Sequence, residues 1–140
     1  MTSPVSIFLR NARLRAGLTQ RQLADLIGYE QGYVSATELG LKSPSNEFLA
    51  ALVSRLKLND KSQTELSDAL KCSRRRFTLP PEVSTETYVF CNDLWEKIDR
   101  LHPTVLSAIH NMVKMDDLIV DRPIPQPTRI RRSQKAEAQM

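Results

Sequence analysis

Cysteine, histidine and glycine are scarce in this chain, and their scarcity excludes several kinds of chemistry. The two cysteines, Cys72 and Cys91, fall on separate expected helices, and the only imidazoles are His102 and His110. A structural zinc needs four such ligands at short, repeated spacings, so both cysteines read as free thiols and no metal is expected. Four glycines in 140 residues leave no glycine-rich loop to cradle a phosphate. Paired acids at a recognisable spacing are missing, and Ser, His and Asp occur without a motif that joins them. Neither an enzyme nor a cofactor nor a small-molecule ligand is therefore expected. Long hydrophobic runs are lacking too, since no stretch approaches the roughly eighteen apolar residues of a membrane helix. The N-terminus shows no charged-then-apolar signal segment. The expectation is a soluble cytoplasmic protein with no membrane partner.

What is present favours helices. Apolar residues make up 41% of the chain, enough for one domain of ordinary size or two small ones. The net charge of +4 is unevenly spread. Residues 1–58 carry 7 basic and 4 acidic groups, 59–79 carry 5 and 3, 80–122 carry 4 and 8, and 123–140 carry 4 and 1. Basic ends can face phosphate, whereas the acidic middle is suited to protein or water.

Residues 18–44, LTQRQLADLIGYEQGYVSATELGLKSP, organise the rest. Thr19 is a good N-cap, and Leu23, Ala24 and Ile27 recur behind it at helical spacing, which predicts a helix from about Gln20 to Ile27. Gly28 stops it in the left-handed position that follows many helices, Glu30 to Leu39 can restart as a second helix, and Gly40 ends that one. Periodicity leaves plain packing of two helices and DNA binding both open.

The side chains narrow the choice. Arg13, Gly17, Leu18, Thr19, Gln20, Leu23, Ala24, Gly28, Gln31, Val34, Glu38, Gly40 and Pro44 stand in register with a known pattern. On these residues the chain resembles the lambda-repressor-like, Cro/cI-type (XRE) helix-turn-helix family over roughly residues 5–58. The resemblance implies an all-α fold: a five-helix DNA-binding domain in which the second motif helix enters the major groove while the preceding helix and loops hold phosphate. It implies that Gln20 and Gln31 lie side by side. Gln31 then reads a base, with adenine the geometric preference of an amide, and Gly32, Ser35 and Ala36 face the groove with it. Gln20, Arg21, Lys42 and Ser43 take places near phosphate. Arg13 and Glu38 resemble the family's structural ion pair, which orients the recognition helix more than it adds stability.

The chain departs from that pattern at several positions. Gly32 and Ala36 offer no hydrogen bonds, so directional base contacts are few and part of the specificity must come from DNA shape or another segment. Glu30 can accept from a cytosine amino group, although its place before the helix suits a structural cap. Leu39 and Leu41 replace polar or basic residues at the helix exit, and Thr37 stands where a larger apolar residue is common.

Around the motif, Val5, Leu9, Ala12 and Ala16 mark one face of a first helix with Phe8 beside it. Ser45 can cap a fourth helix carrying Phe48, Leu49, Leu52, Val53 and Leu56. A fifth begins near Asp60 and carries Leu66, Ala69 and Leu70 towards Arg74, Arg75 and Arg76. Pro80 and Pro81 then break the chain into a linker, which closes a first domain at residues 1–79. Residues 80–121 read as a helical hairpin. Its first helix runs from Ser84 or Thr85 through Leu101 with Tyr88, Cys91, Trp95, Ile98 and His102 in a stripe, and Pro103 opens the second with Leu106, Ile109 and Met112 or Val113. The hairpin is too small to hide both stripes, so it packs back on the first domain or pairs with a second copy as a homodimer. Residues 122–140, with three prolines in a short span and then Arg129, Arg131, Arg132 and Lys135, read as a disordered basic tail. That tail is either a solvated extension or an arm for phosphate or a partner segment.

The function implied is a sequence-specific DNA-binding transcriptional regulator whose partner is double-stranded DNA, acting as a dimeric repressor that occupies operator DNA. The alternative is an antitoxin or adaptor whose helix-turn-helix is secondary to capture of a protein partner by the hairpin and tail.

Overall fold

The computed structural model describes residues 2–119. The basic tail expected over 122–140 lies outside them. Among the described residues the elements are seven α-helices and one 3-10 turn, with no strand: α1 (Pro4–Arg15), α2 (Gln20–Ile27), α3 (Gln31–Glu38), α4 (Asn46–Arg55), α5 (Asp60–Cys72), α6 (Thr85–Lys97), α7 (Pro103–Met115) and the turn Asp116–Leu118. The chain divides after Phe77 into two compact units.

In the first unit, caps set most helix starts. Ser3, Thr19, Ser45 and Asn59 each accept from a backbone N–H in the first turn of the helix that follows. At α2 the exchange is reciprocal. Thr19 accepts from the Gln22 N–H at 3.1 Å while the Gln22 side chain accepts from the Thr19 N–H at 2.9 Å, satisfying two donors that a helix start would leave open. Helix α1 begins one residue before Val5, because Ser3 caps it and Pro4 suits its first turn. Ala16, expected on the inner face, is instead the exposed C-cap: the chain turns out through Gly17 before that position can pack.

Helix α2 packs on α3 and α4, and α1 packs on α3 and α5. The shared core holds Val5, Leu9, Leu23, Ala24, Ile27, Val34, Phe48, Leu49, Leu52 and Leu66, with Phe8, Leu18, Val53, Leu56 and Ala69 half-buried against it. Each fully buried Leu or Phe contributes about 1.5–3 kcal/mol by removal from water. Leu70, expected inside, is exposed, and Ala69 carries the inner position of that turn. Thr37 is buried, and its hydroxyl donates to the Val34 carbonyl at 2.9 Å, so the polar group at this apolar site is satisfied.

The second unit differs in kind, since neither α6 nor α7 has a buried residue. Helix α6 stops at Lys97, short of the expected Leu101. The Ile98 N–H bonds to Trp95 and the Arg100 N–H to Lys97, tight turns that end the helix, and His102 precedes a proline that disfavours helical backbone there. His102 is extended and its Nδ1 accepts from the Thr104 N–H at 3.2 Å, so it caps α7 and does not prolong the α6 stripe. The least exposed positions of α6 are Thr87, Cys91 and Leu94, while Tyr88 and Trp95 stand out in solvent. Phe90 faces Ile109, Met112 and Val113 of α7 across an open apolar groove with Asp116 at its end.

Candidate nucleic-acid interface

The turn between α2 and α3 depends on one backbone conformation. Gly28 has φ +77°, which places the Tyr29 N–H on the Ala24 carbonyl at 2.9 Å and sends the chain directly into α3. Glu30 occupies the N-cap of α3, but its side chain makes no capping bond there. Helix α3 is two turns long and two-sided. Val34, Thr37 and Glu38 are buried, Gln31 and Gly32 are exposed, and Ser35 and Ala36, four residues further along the same face, are half-exposed. The structure therefore brings these four sequence-predicted base contacts onto one outward face. One amide, one hydroxyl and two small groups give that face both donors and acceptors in a shape shallow enough to approach base edges.

The opposite face is held by a polar knot. Arg13 of α1 donates from Nε to Glu38 Oε1 at 2.6 Å, from Nη2 to Oε2 at 3.2 Å, and from Nη1 to the Leu18 carbonyl at 2.8 Å. The side chains of this ion pair are only 11% and 4% exposed. Gln20 completes the knot, its Nε2 donating to Glu38 Oε2 at 2.9 Å. Gln20, for which the resemblance implied a place near phosphate and beside Gln31, thus also serves as a partner of Glu38. The nearest anion captured its amide, and one of that amide's two N–H bonds is already engaged. Four groups from α1, the following loop, α2 and the end of α3 are tied together, which fixes the orientation of α3 against α1.

The other predicted contacts stand at the margins of the motif. Arg21 is exposed on α2, and Lys42 and Ser43 are exposed in the loop after α3. Tyr33 organises that loop, a role sequence reasoning missed. Its hydroxyl accepts from the Ser45 N–H at 2.9 Å, and the Lys42 ammonium lies 4.8 Å from its ring centroid, a cation–π distance. The ring also leans on Phe48 at 5.0 Å, with Tyr29 meeting Phe48 edge-on at 5.1 Å. An aromatic residue on the flank of an exposed helix was the only signal in the sequence. Leu39 and Leu41, at the exit of α3, are 54% and 67% exposed.

The fold and this two-sided helix coincide with a recognised domain type. A family model described as a helix-turn-helix domain matches residues 5–66. Residues 5–66 are a helix-turn-helix domain. Over 50 residues the chain is also similar, at 42% identity, to a protein named transcriptional regulator ClgR in each of two strains of Mycobacterium tuberculosis. The match takes in 36% of this chain and 45% of each relative, so the chain spans about half the length of the curated relatives it matches. Among the described residues no group of three His, Cys, Asp or Glu could hold a metal ion, and no helix is long and apolar enough to cross a membrane.

Proposed function

We propose that this chain is a sequence-specific DNA-binding transcriptional regulator, a cytoplasmic dimeric repressor that acts by occupying operator DNA. The observation that carries the reading is the division of α3 into an inner face locked by the Arg13–Glu38–Gln20 knot and an outer face presenting Gln31, Gly32, Ser35 and Ala36. A rigid helix with free polar groups on one side suits entry into a major groove. Phosphates are then held from the flanks by Arg21, Lys42 and Ser43. Gln20 serves here first as a positioning residue, with its remaining N–H available to a phosphate. The similarity to a transcriptional regulator supports the same reading. Residues 84–115 supply the dimer seam, because their apolar side chains are open to solvent and the acidic charge of the segment repels phosphate. Selection of bound duplexes from a random library, followed by footprinting, tests the proposal. A discrete consensus with two related half-sites is expected, and binding with no sequence preference overturns it.

The solvent-exposed apolar side chains of α6 and α7 favour a second reading as well, in which the hairpin captures a different protein and DNA binding is secondary. Loss of all sequence-specific binding by the purified full chain, alongside a stable complex with another protein, is the result that selects it.

A further inference from the structure

The arginine run at the end of α5 has no role in the recognition helix, yet it does not simply project into solvent. The Arg74 guanidinium lies over the Phe77 ring, 4.6 Å from its centroid. Arg75 instead lines an open groove of about 610 Å³ between the loop after α3, the start of α1 and the end of α5. Lys42 and Ser43 line the same groove from the loop, and Ser3 and Ser73 from the two helix ends. Among the described residues no carboxylate lines it. Among the described residues neither Arg75 nor Lys42 is ion-paired. Two cations 33 positions apart in sequence line one groove, which gives it a positive potential suited to an anion.

The walls are already fixed. Ser73 Oγ donates to the Ala69 carbonyl at 2.6 Å and accepts from the Val5 N–H at 2.9 Å, which ties the end of α5 to the first turn of α1. The first free N–H groups of α1 are taken by Ser73, by Ser3 Oγ and by the Ser3 carbonyl. The helix start therefore has no open N–H to offer an anion, which leaves the cationic side chains as the groove's anion-attracting groups. Support of α5 by its own C-terminal charge does not account for Arg75 either. It lies two residues beyond the Ser73 C-cap, and the favourable field of a helix end fades within the last turn, where Lys71 already stands.

We propose that Arg75 and Lys42 clamp the sugar-phosphate backbone of DNA in this groove, so that the interface extends past the recognition helix onto the end of α5. The inference rests on the DNA-binding reading above and adds a binding residue that the helix-turn-helix motif does not contain. Phosphate contacts of this type fix register and release counterions without reading bases.

The test is the salt dependence of duplex binding by the full chain, measured on a random-sequence duplex and on a selected operator. Arg75→Ala should reduce the slope of log K against log salt by about one unit on both duplexes, and the double variant with Lys42→Ala by about two. Arg75→Lys should restore the slope, since it returns the charge. Lys71→Ala, beside Asp68 on another face of α5, should leave the slope as it is. Circular dichroism of each variant establishes that it is folded. A wild-type slope in folded Arg75→Ala, or an equal loss in Lys71→Ala, overturns the clamp while leaving DNA binding intact. Absence of any duplex binding by the folded wild-type chain overturns both.

Discussion

Gln20 and Glu38, 18 residues apart, are joined by a 2.9 Å hydrogen bond from the first residue of α2 to the last residue of α3. That bond completes the satisfaction of a carboxylate only 4% exposed, whose other contacts come from Arg13. Breaking such a pair from one side leaves a buried charge with too few partners. Glu38→Ala should therefore lower stability by about 3–5 kcal/mol, whereas Arg13→Met combined with Glu38→Leu should recover much of the loss. Urea midpoints of the three proteins decide this, and equal losses in the single and double variants would show that the charge pair itself stabilises the fold.

Gln31→Ala should cost about 1–3 kcal/mol of binding to a selected operator and leave affinity for random DNA nearly unchanged. Its position at the start of α3 on the exposed face is the reason. Titrations on both duplexes are sufficient, and equal losses would remove Gln31 from the base-reading set.

Arg21→Ala and Lys42→Ala should each weaken binding on every sequence and reduce the salt slope by about one unit. Tyr33→Leu should reproduce part of the Lys42 effect without removing a charge, because the ring that holds the ammonium and the hydroxyl that receives the Ser45 N–H are both lost. A double-mutant cycle of Tyr33 and Lys42 that shows no coupling would separate the two residues.

Gly28 and Gly32 should respond oppositely to alanine, although an added Cβ meets nothing within 4 Å at either site. At Gly28, with φ +77°, the penalty is purely conformational, and Gly28→Ala should cost about 1–2 kcal/mol. Gly32 is already helical, so Gly32→Ala should gain about 0.5–1 kcal/mol. Thermal melts of the two variants give the sign directly.

Ile98→Asp should yield a folded monomer by sedimentation, since Ile98 at the C-cap of α6 and Trp95 on the helix stand 42% and 62% exposed. Two half-sites bound together gain avidity, so this variant should lose far more affinity for a two-half-site operator than for one half-site. A variant as dimeric as wild type would move the seam elsewhere.

Much of the first unit was legible because its signals are local. Thr19 and Gly28 bracket α2 by cap and left-handed turn, and the apolar spacing of Leu23, Ala24 and Ile27 points them inward in any helix that forms there. Where periodicity alone carried the reading, it failed at the ends. Ala16 and Leu70 keep the correct spacing yet lie where the helix has turned away or the core has ended. His102 fitted the α6 stripe, but the proline after it governs the backbone. The bond from Gln20 to Glu38 was not legible at all, because it depends on which groups three separate helices bring together.

Under the proposed DNA reading, the division of α3 also separates heredity of fold from heredity of target. Val34, Thr37 and Glu38 carry its attachment to the domain, while Gln31 and Gly32 touch none of the core and can be exchanged with little structural penalty. On the reading proposed above, descendants of this chain would acquire new DNA addresses by rewriting a few letters on one helical face, with folding left out of the trade.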